Sequence, residues 1–261
     1  MTLVKQEWRQ GMTSFLIWTI SIGFLLAVCV FLFPEMKGQM EEIGETFASM
    51  GSFTAAFGMD RLNFGTLIGF YAIECGNVLG LGGAFYASLC AVTILSKEEK
   101  DKTAEFLLTH PVSRTRILTE KLMAVLIQIT ALNLIIYALS IGSLVIISEE
   151  IPWKEVNLLQ LAYYLLQIEL AGICFGISAF ARKGGAGVGL GVAAMMYFMN
   201  LIANIAEVAE FLKYITPFGY CEGADIVNNG SLDGTMVAIG MAMGIAGITA
   251  AYLHYTGKDI I

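Results

Sequence analysis

A chain of 261 residues that is 57% hydrophobic and only 14% charged, with a mean hydropathy of +0.72, is not an ordinary water-soluble domain, which carries about 25% charged residues. The net charge of −7 acquires meaning only when the charges are sorted by membrane side. Nucleic acid is not an expected partner.

A membrane-crossing helix needs about 20 apolar residues for about 30 Å of hydrocarbon. Runs that meet this are Thr13–Phe33, Leu67–Leu95, Ile117–Ile147, Asn157–Ala181, Ala186–Ala206 and Thr235–Thr256. The expected fold is an all-α integral membrane protein of six spans forming one domain over residues 1–261. The first run is too long for a signal-peptide core and lacks a small-residue cleavage site after it, so it reads as a retained span.

In chain order, residues 1–12 come first. Val4, Trp8 and Met12 recur every four residues, opposite Lys5, Gln6, Arg9 and Gln10, which predicts an amphipathic helix in the membrane interface. The plainer alternative is an extension of the first span. Segment 34–66 follows on the other side. Its Met36, Met40, Ile43, Phe47 and Met50 fall at helical spacing and predict a second amphipathic helix packed on the membrane surface.

The most charged stretch lies between the second and third runs. Ser96 and Glu99 have capping-box spacing, Asp101 and Glu105 continue a helix, and Phe106, Leu107 and Leu108 give it an apolar patch. Pro111 stops it and Ser113 is placed to cap the next helix. A short amphipathic helix joined stiffly to two spans is a lever for a partner that grips it. A solvated connector fits the charges equally well.

The fifth and sixth runs carry glycines four apart, Gly185–Gly189, Gly187–Gly191 and Gly240–Gly244, a spacing that permits close helix approach. Between these runs, segment 207–234 holds apolar Phe211, Leu212 and Ile215, a breaker at Pro217 and a turn at Asn228-Asn229-Gly230. Short helices dipping into the membrane face fit it.

With the N-terminus inside, the inner segments hold eleven of the 15 basic residues, namely Lys5, Arg9, Lys97, Lys100, Lys102, Arg114, Arg116, Lys121, Arg182, Lys183 and Lys258. The outer ones hold Lys37, Arg61, Lys154 and Lys213. The positive-inside rule then places both termini in the cytoplasm.

Chemistry-bearing motifs are few. The sequence has no phosphate-cradling GxxxxGK[ST], no nucleophile elbow and no HExxH; His110 and His254 stand apart, and the five cysteines form no CxxC. Acids inside spans are expensive, about 2.5–3.5 kcal/mol at the bilayer centre. Glu74 and Glu169 are therefore candidates for a polar path, with Asn200 and Asn204 beside it; holding helices together is the structural alternative. A secondary transporter or channel built on Glu74 and Glu169 remains open, as does an intramembrane enzyme.

The charged stretch also resembles a known family. The membrane subunits of ATP-binding-cassette exporters of the ABC-2 type carry Glu-Glu-x-x-Gly-Thr-x-Glu-x-Leu-Leu-x-x-Pro-Val-Ser-Arg. Here Glu98, Glu99, Thr103, Glu105, Leu107, Leu108, Pro111, Val112, Ser113 and Arg114 match, and Lys102 replaces the glycine. "KQEWRQGMTSFLIW" is similar to the family's elbow helix, "ITPFGYCEGADIVNNGSLD" to its outer segment, and "YTGKDI" to its ending.

The resemblance implies a permease in a bacterial cell membrane, paired with a second copy or a homologous membrane subunit. Two ATP-binding subunits would carry ATP and Mg, leaving no cofactor and no ATPase on this chain. Segment 96–114, including Asp101, would be the cytoplasmic coupling helix. Peptides, lipids, glycans and small drugs are the implied substrate classes.

Overall fold

The computed structural model describes residues 2–49, 51–97, 112–147, 150–181 and 185–257. Their regular structure is helical, without a strand among the described residues. Helix α1 runs over Thr2–Ser49, followed by a short α2, Ser52–Ala56, and a 3-10 turn, Met59–Arg61. The second span comprises α3, Leu67–Cys75, a π turn, Gly76–Leu81, and α4, Gly82–Thr93. Then come α5, Arg114–Ile146, α6, Trp153–Phe180, and α7, Ala186–Ile205. Two 3-10 stretches, Glu207–Tyr214 and Gly219–Cys221, lead to α8, Gly223–Asn229, and the last span, α9, Gly234–Gly257.

Six of these helices or helix series are long and apolar enough to cross a membrane: Leu3–Gly38, Leu67–Thr93, Arg114–Ile146, Trp153–Phe180, Ala186–Ile205 and Gly234–Gly257. The protein is a multi-pass membrane protein. Leu16, Ile17, Ile20 and Phe24 on α1, and Phe198 and Ile202 on α7, face outward, as lipid-facing side chains do.

Two boundaries differ from expectation. The interfacial helix and the first span are one helix, because nothing between Thr2 and Phe33 breaks it. Its buried face does follow the expected stripe: Trp8 and Met12 pack on the core, and Trp8 lies 5.3 Å from Phe15, ring to ring. Pro34 does not end the helix. Proline removes one backbone bond, which membrane-spanning helices tolerate, and α1 continues to Ser49. Met36 packs against the core, whereas the side chains of Met40, Ile43 and Phe47, and Met50 altogether, lie outside the described residues.

Helix α6 is the hub, with 67% of its apolar stretch buried against 17% for α9. Its most extensive pairing is nevertheless with α9. Glycines make this possible. A methyl group at Gly172 would sit 2.6 Å from the Gly244 carbonyl oxygen, one at Gly176 2.7 Å from that of Gly247, and one at Gly247 2.5 Å from that of Gly172. Backbone meets backbone, the arrangement that small residues permit in membranes. Of the glycines flagged by spacing, Gly240 and Gly244 face Glu169, and Gly189 approaches the Ser88 carbonyl oxygen. Among the described residues, a methyl group at Gly185, Gly187 or Gly191 would meet nothing within 4 Å.

The chain ends define one end of the bundle. Leu3, Glu7, Lys97, Arg114, Glu120 and Tyr255 meet there through hydrogen bonds. The connecting elements of 51–66 and 206–233 meet at the opposite end, where Arg61 pairs with Asp225 at 2.6 Å. The 3-10 stretch there and the residue after it leave Val208, Phe211, Tyr214 and Ile215 exposed. Gly230 ends α8 with φ 60, the left-handed cap expected of Asn-Asn-Gly.

Candidate functional site

The segment carrying the expected lever is flanked by a charged frame. Lys121 on α5 is fully buried and donates to Glu7 Oε1 and to the Ile94 carbonyl, both at 2.8 Å. Lys97, just after the second span, pairs with the other oxygen of Glu7 and donates to Gln10 Oε1 at 2.8 Å. Glu120 accepts from the Leu3 amide at 3.1 Å and from Arg116 Nε at 3.0 Å. On the far side of the segment, Ser113 caps α5 by accepting from the Arg116 amide at 3.3 Å. Arg114 reaches the carbonyls of Tyr255 and Thr256 on α9, each at 3.3 Å.

The two strands of chain that enter and leave segment 98–111 are therefore tied to the first helix and to the last. Of the expected coupling residues, Val112, Ser113 and Arg114 are described. Glu98, Glu99, Asp101, Thr103, Glu105, Leu107, Leu108 and Pro111 lie outside the described residues. Ser96 is buried and donates to the Val92 carbonyl at 3.2 Å. The sequence reading missed Glu7 and Lys121. Their signal was a charge standing on an apolar stripe: Leu3–Glu7–Gly11 on one helix and Ile117–Lys121–Val125 on the other. A buried charge on such a stripe demands a partner.

The candidate path residues have different immediate partners. Glu74 is half-buried between the first two spans, where the Cys29 thiol donates to it at 3.4 Å. Glu169 is buried on α6 against α9, so close that a methyl at Gly240 would lie within contact distance of its carboxylate. Among the described residues no hydrogen bond of ordinary geometry reaches either oxygen of Glu169, and the Tyr220 hydroxyl is the polar group that approaches it. Asn200 and Asn204 on α7 instead point at Glu222 in the connecting segment, donating at 3.4 and 2.8 Å.

Glu222 was not singled out from sequence, since an acid before Gly223 in a loop reads as solvated. It is buried, with Arg61 3.8 Å away and Gly58 behind it. Gly58 has φ 65, and a side chain there would overlap Glu222 Oε1. A cavity of about 50 Å³ beside Glu222 is lined by Asn77, Tyr163, Tyr197 and Asn200 among others. Tyr163 forms one of its walls, seated on Gly76 and Gly80 of the π turn and donating to the Cys221 carbonyl at 3.1 Å. The π turn thus joins the second span to the fourth and to the connecting segment, and such turns recur at functional sites.

Burial pushes the Glu222 carboxyl above its ordinary range, with Asp225 adding to the rise and Asn204 and Arg61 opposing it. A carboxyl raised in the folded state binds more protons than in the unfolded state, so its contribution to stability is complete in acid and is lost as pH climbs through the raised value. Wild-type thermal stability is expected to fall as pH rises above about 4.3, the unfolded value for Glu. Glu222→Gln, measured by melting in detergent across pH, is expected to lack that part of the slope. Parallel profiles for the two proteins would show that Glu222 is not the titrating group.

Among the described residues no group of three or more His, Cys, Asp or Glu is placed to hold a metal ion. What the site offers is mechanical and polar: Lys97 and Arg114 tied to α1 and α9 at one end, a buried acid on α6 and a polar cluster around Glu222. Comparison with known proteins agrees with that character. A family model described as "ABC-2 family transporter protein" matches residues 1–260. No curated protein and no solved structure matches the chain. With the match covering all but the last residue and six membrane-crossing helices beneath it, the chain belongs to the ABC-2 family of transporters and is a membrane permease component.

Proposed function

We propose that this chain is the membrane subunit of an ATP-driven exporter, with ATP and Mg handled by two copies of a separate ATP-binding subunit. In this reading both termini are cytoplasmic, segment 96–114 is the contact for the ATP-binding subunit, and two membrane subunits, alike or homologous, form the complex. The observation that supports it is the charged frame around Glu7, Lys97 and Lys121. A force applied between Lys97 and Arg114 reaches α1 through buried ion pairs and α9 through Arg114. A merely solvated connector has no need of two buried charges at its root, because each costs several kcal/mol to desolvate.

The cargo, a peptide, lipid, glycan or small drug, is left unassigned by this frame. The test is isolation in mild detergent followed by identification of a companion chain that carries a P-loop. In the assembled complex, Glu105→Lys and Arg114→Glu are each expected to lower substrate-stimulated ATP hydrolysis several-fold while membrane insertion is unchanged. Full stimulation in both variants would remove the coupling role of the segment.

A further inference from the structure

The cavity beside Glu222 is framed by oxygen-bearing side chains. Asn77, Tyr163, Tyr197, Asn200 and Glu222 line it, brought together from the π turn, α6, α7 and the connecting segment. Asn200 is 6% exposed and Glu222 8%. Its volume of about 50 Å³ exceeds the about 10–15 Å³ that one water needs. Tyr163 donates its proton to the Cys221 carbonyl, which leaves its oxygen as an acceptor.

Two amide oxygens at this place stand empty. Asn200 and Asn204 both turn Nδ2 to the same Glu222 oxygen, which leaves Asn200 Oδ1 and Asn204 Oδ1 buried without a hydrogen-bond partner. Turning either amide over would set its oxygen against the carboxylate. A proton on Glu222 would serve one of the two oxygens and leave the other as it is. The carboxylate is also short of countercharge. Arg61 aims one nitrogen at Asp225, 2.6 Å away, and stands 3.8 Å from Glu222. A buried carboxylate without a close cation is costly, and so is a buried carbonyl oxygen without a partner. A cation in the cavity relieves both.

The surroundings favour the same charge. Segments 51–66 and 206–233 carry Asp60, Glu207, Glu210, Glu222, Asp225 and Asp233 against Arg61 and Lys213, with Lys154 lying against Gly230. Among residues 39–50, 52–53 and 148–149, whose side chains lie outside those described, the charged ones are Glu41, Glu42, Glu45 and Glu149, all acidic.

We propose that the cavity beside Glu222 binds an alkali-metal cation of sodium or potassium size. Glu222 supplies the charge and Asn200 Oδ1 a neutral oxygen, with the oxygens of Asn77, Tyr163 and Tyr197 around them. Carboxylate and carbonyl oxygens suit hard cations, and one carboxylate balances one positive charge. Calcium gathers about six to eight oxygens and is held best by several carboxylates, whereas Asp225 is engaged with Arg61. The ion ties the second, fourth and fifth spans to the connecting segment, so its signature is stability. The proposal does not depend on the exporter reading, since it concerns the isolated chain.

The test melts the full purified chain in detergent at neutral pH, in sodium chloride, potassium chloride or N-methylglucamine chloride at equal concentration. N-methylglucamine is too large for the cavity and controls for ionic strength. Sodium or potassium is expected to raise the wild-type midpoint by several degrees over N-methylglucamine, because a ligand bound by the folded state alone stabilises it. Glu222→Gln is expected to erase that difference. If this variant fails to fold, the double change Asn77→Ala and Tyr197→Phe carries the test and is expected to shrink the difference by half or more. Phenylalanine keeps the ring contact of Tyr197 with Phe218.

Equal wild-type midpoints in the three salts overturn the proposal and leave water as the occupant. A difference kept in full by every folded variant overturns it too, because the cation then acts elsewhere. The exporter reading is tested on a companion chain, so either conclusion can fail alone.

Discussion

Gly247→Val is expected to displace α9 from α6 and to produce the largest loss of stability of any single change considered. The added carbon atoms would fall on the Gly172 carbonyl and the Ile173 backbone, 2.5 and 2.9 Å from the first of them. These are main-chain atoms in the middle of α6, and they have no rotamer to move to. Overpacking a well-filled core costs about 1–3 kcal/mol when side chains yield; with backbone on both sides the cost is expected to reach at least about 3 kcal/mol. Gly191→Val is the control, because among the described residues a methyl group there would meet nothing within 4 Å. Thermal unfolding in detergent separates the two: Gly247→Val melts well below wild type and Gly191→Val melts with it. Equal melting of both variants would mean that α9 is not packed as described.

Lys121→Met is expected to cost about 3 kcal/mol, the lower part of the range for breaking a buried ion pair. The lower part applies because Glu7 keeps Lys97, while the Ile94 carbonyl loses a donor. Methionine fills the same volume, so the loss is electrostatic rather than a cavity. The double change Glu7→Gln with Lys121→Met is expected to recover part of the loss, since the buried Glu7 charge, left with Lys97 as its one basic partner among the described residues, is then removed as well. The unfolding midpoints of the single and double variants check this. A single variant as stable as wild type would mean that the pair does not hold the first and third spans together.

How far the fold was legible depends on which interactions decided each element. The fourth to sixth spans were legible to within a few residues, as were the cap at Ser113 and the turn at Gly230, because composition and capping are local. The length of α1 was not. The apolar run ends at Phe33, and α1 continues through Pro34 to Ser49 all the same. The π turn at Gly76–Leu81 has no period of its own; Tyr163, more than 80 residues away in sequence, occupies the space that Gly76 and Gly80 leave open. Site residues divide in the same way. Glu74 and Glu169 stand out because acids are rare in apolar runs. Glu7 and Lys121 are 114 residues apart, so their pairing is a property of the assembled bundle. Asn200 and Asn204 were expected on a path with Glu74 and Glu169, and they turn instead to Glu222, which sequence gave no reason to bury.

The unbroken 48 residues of α1 have a mechanical consequence. At 1.5 Å per residue the helix measures about 72 Å, more than twice the roughly 30 Å of hydrocarbon it crosses. Like an oar in its lock, it pivots where the bilayer grips it, so a small tilt swings its two tips in opposite directions. One tip bears Glu7, paired with Lys97 and Lys121, and the other lies beyond Pro34. Pro34, which gives up one backbone bond, lies between the membrane-crossing part and the far tip and is the point in α1 where a bend would concentrate.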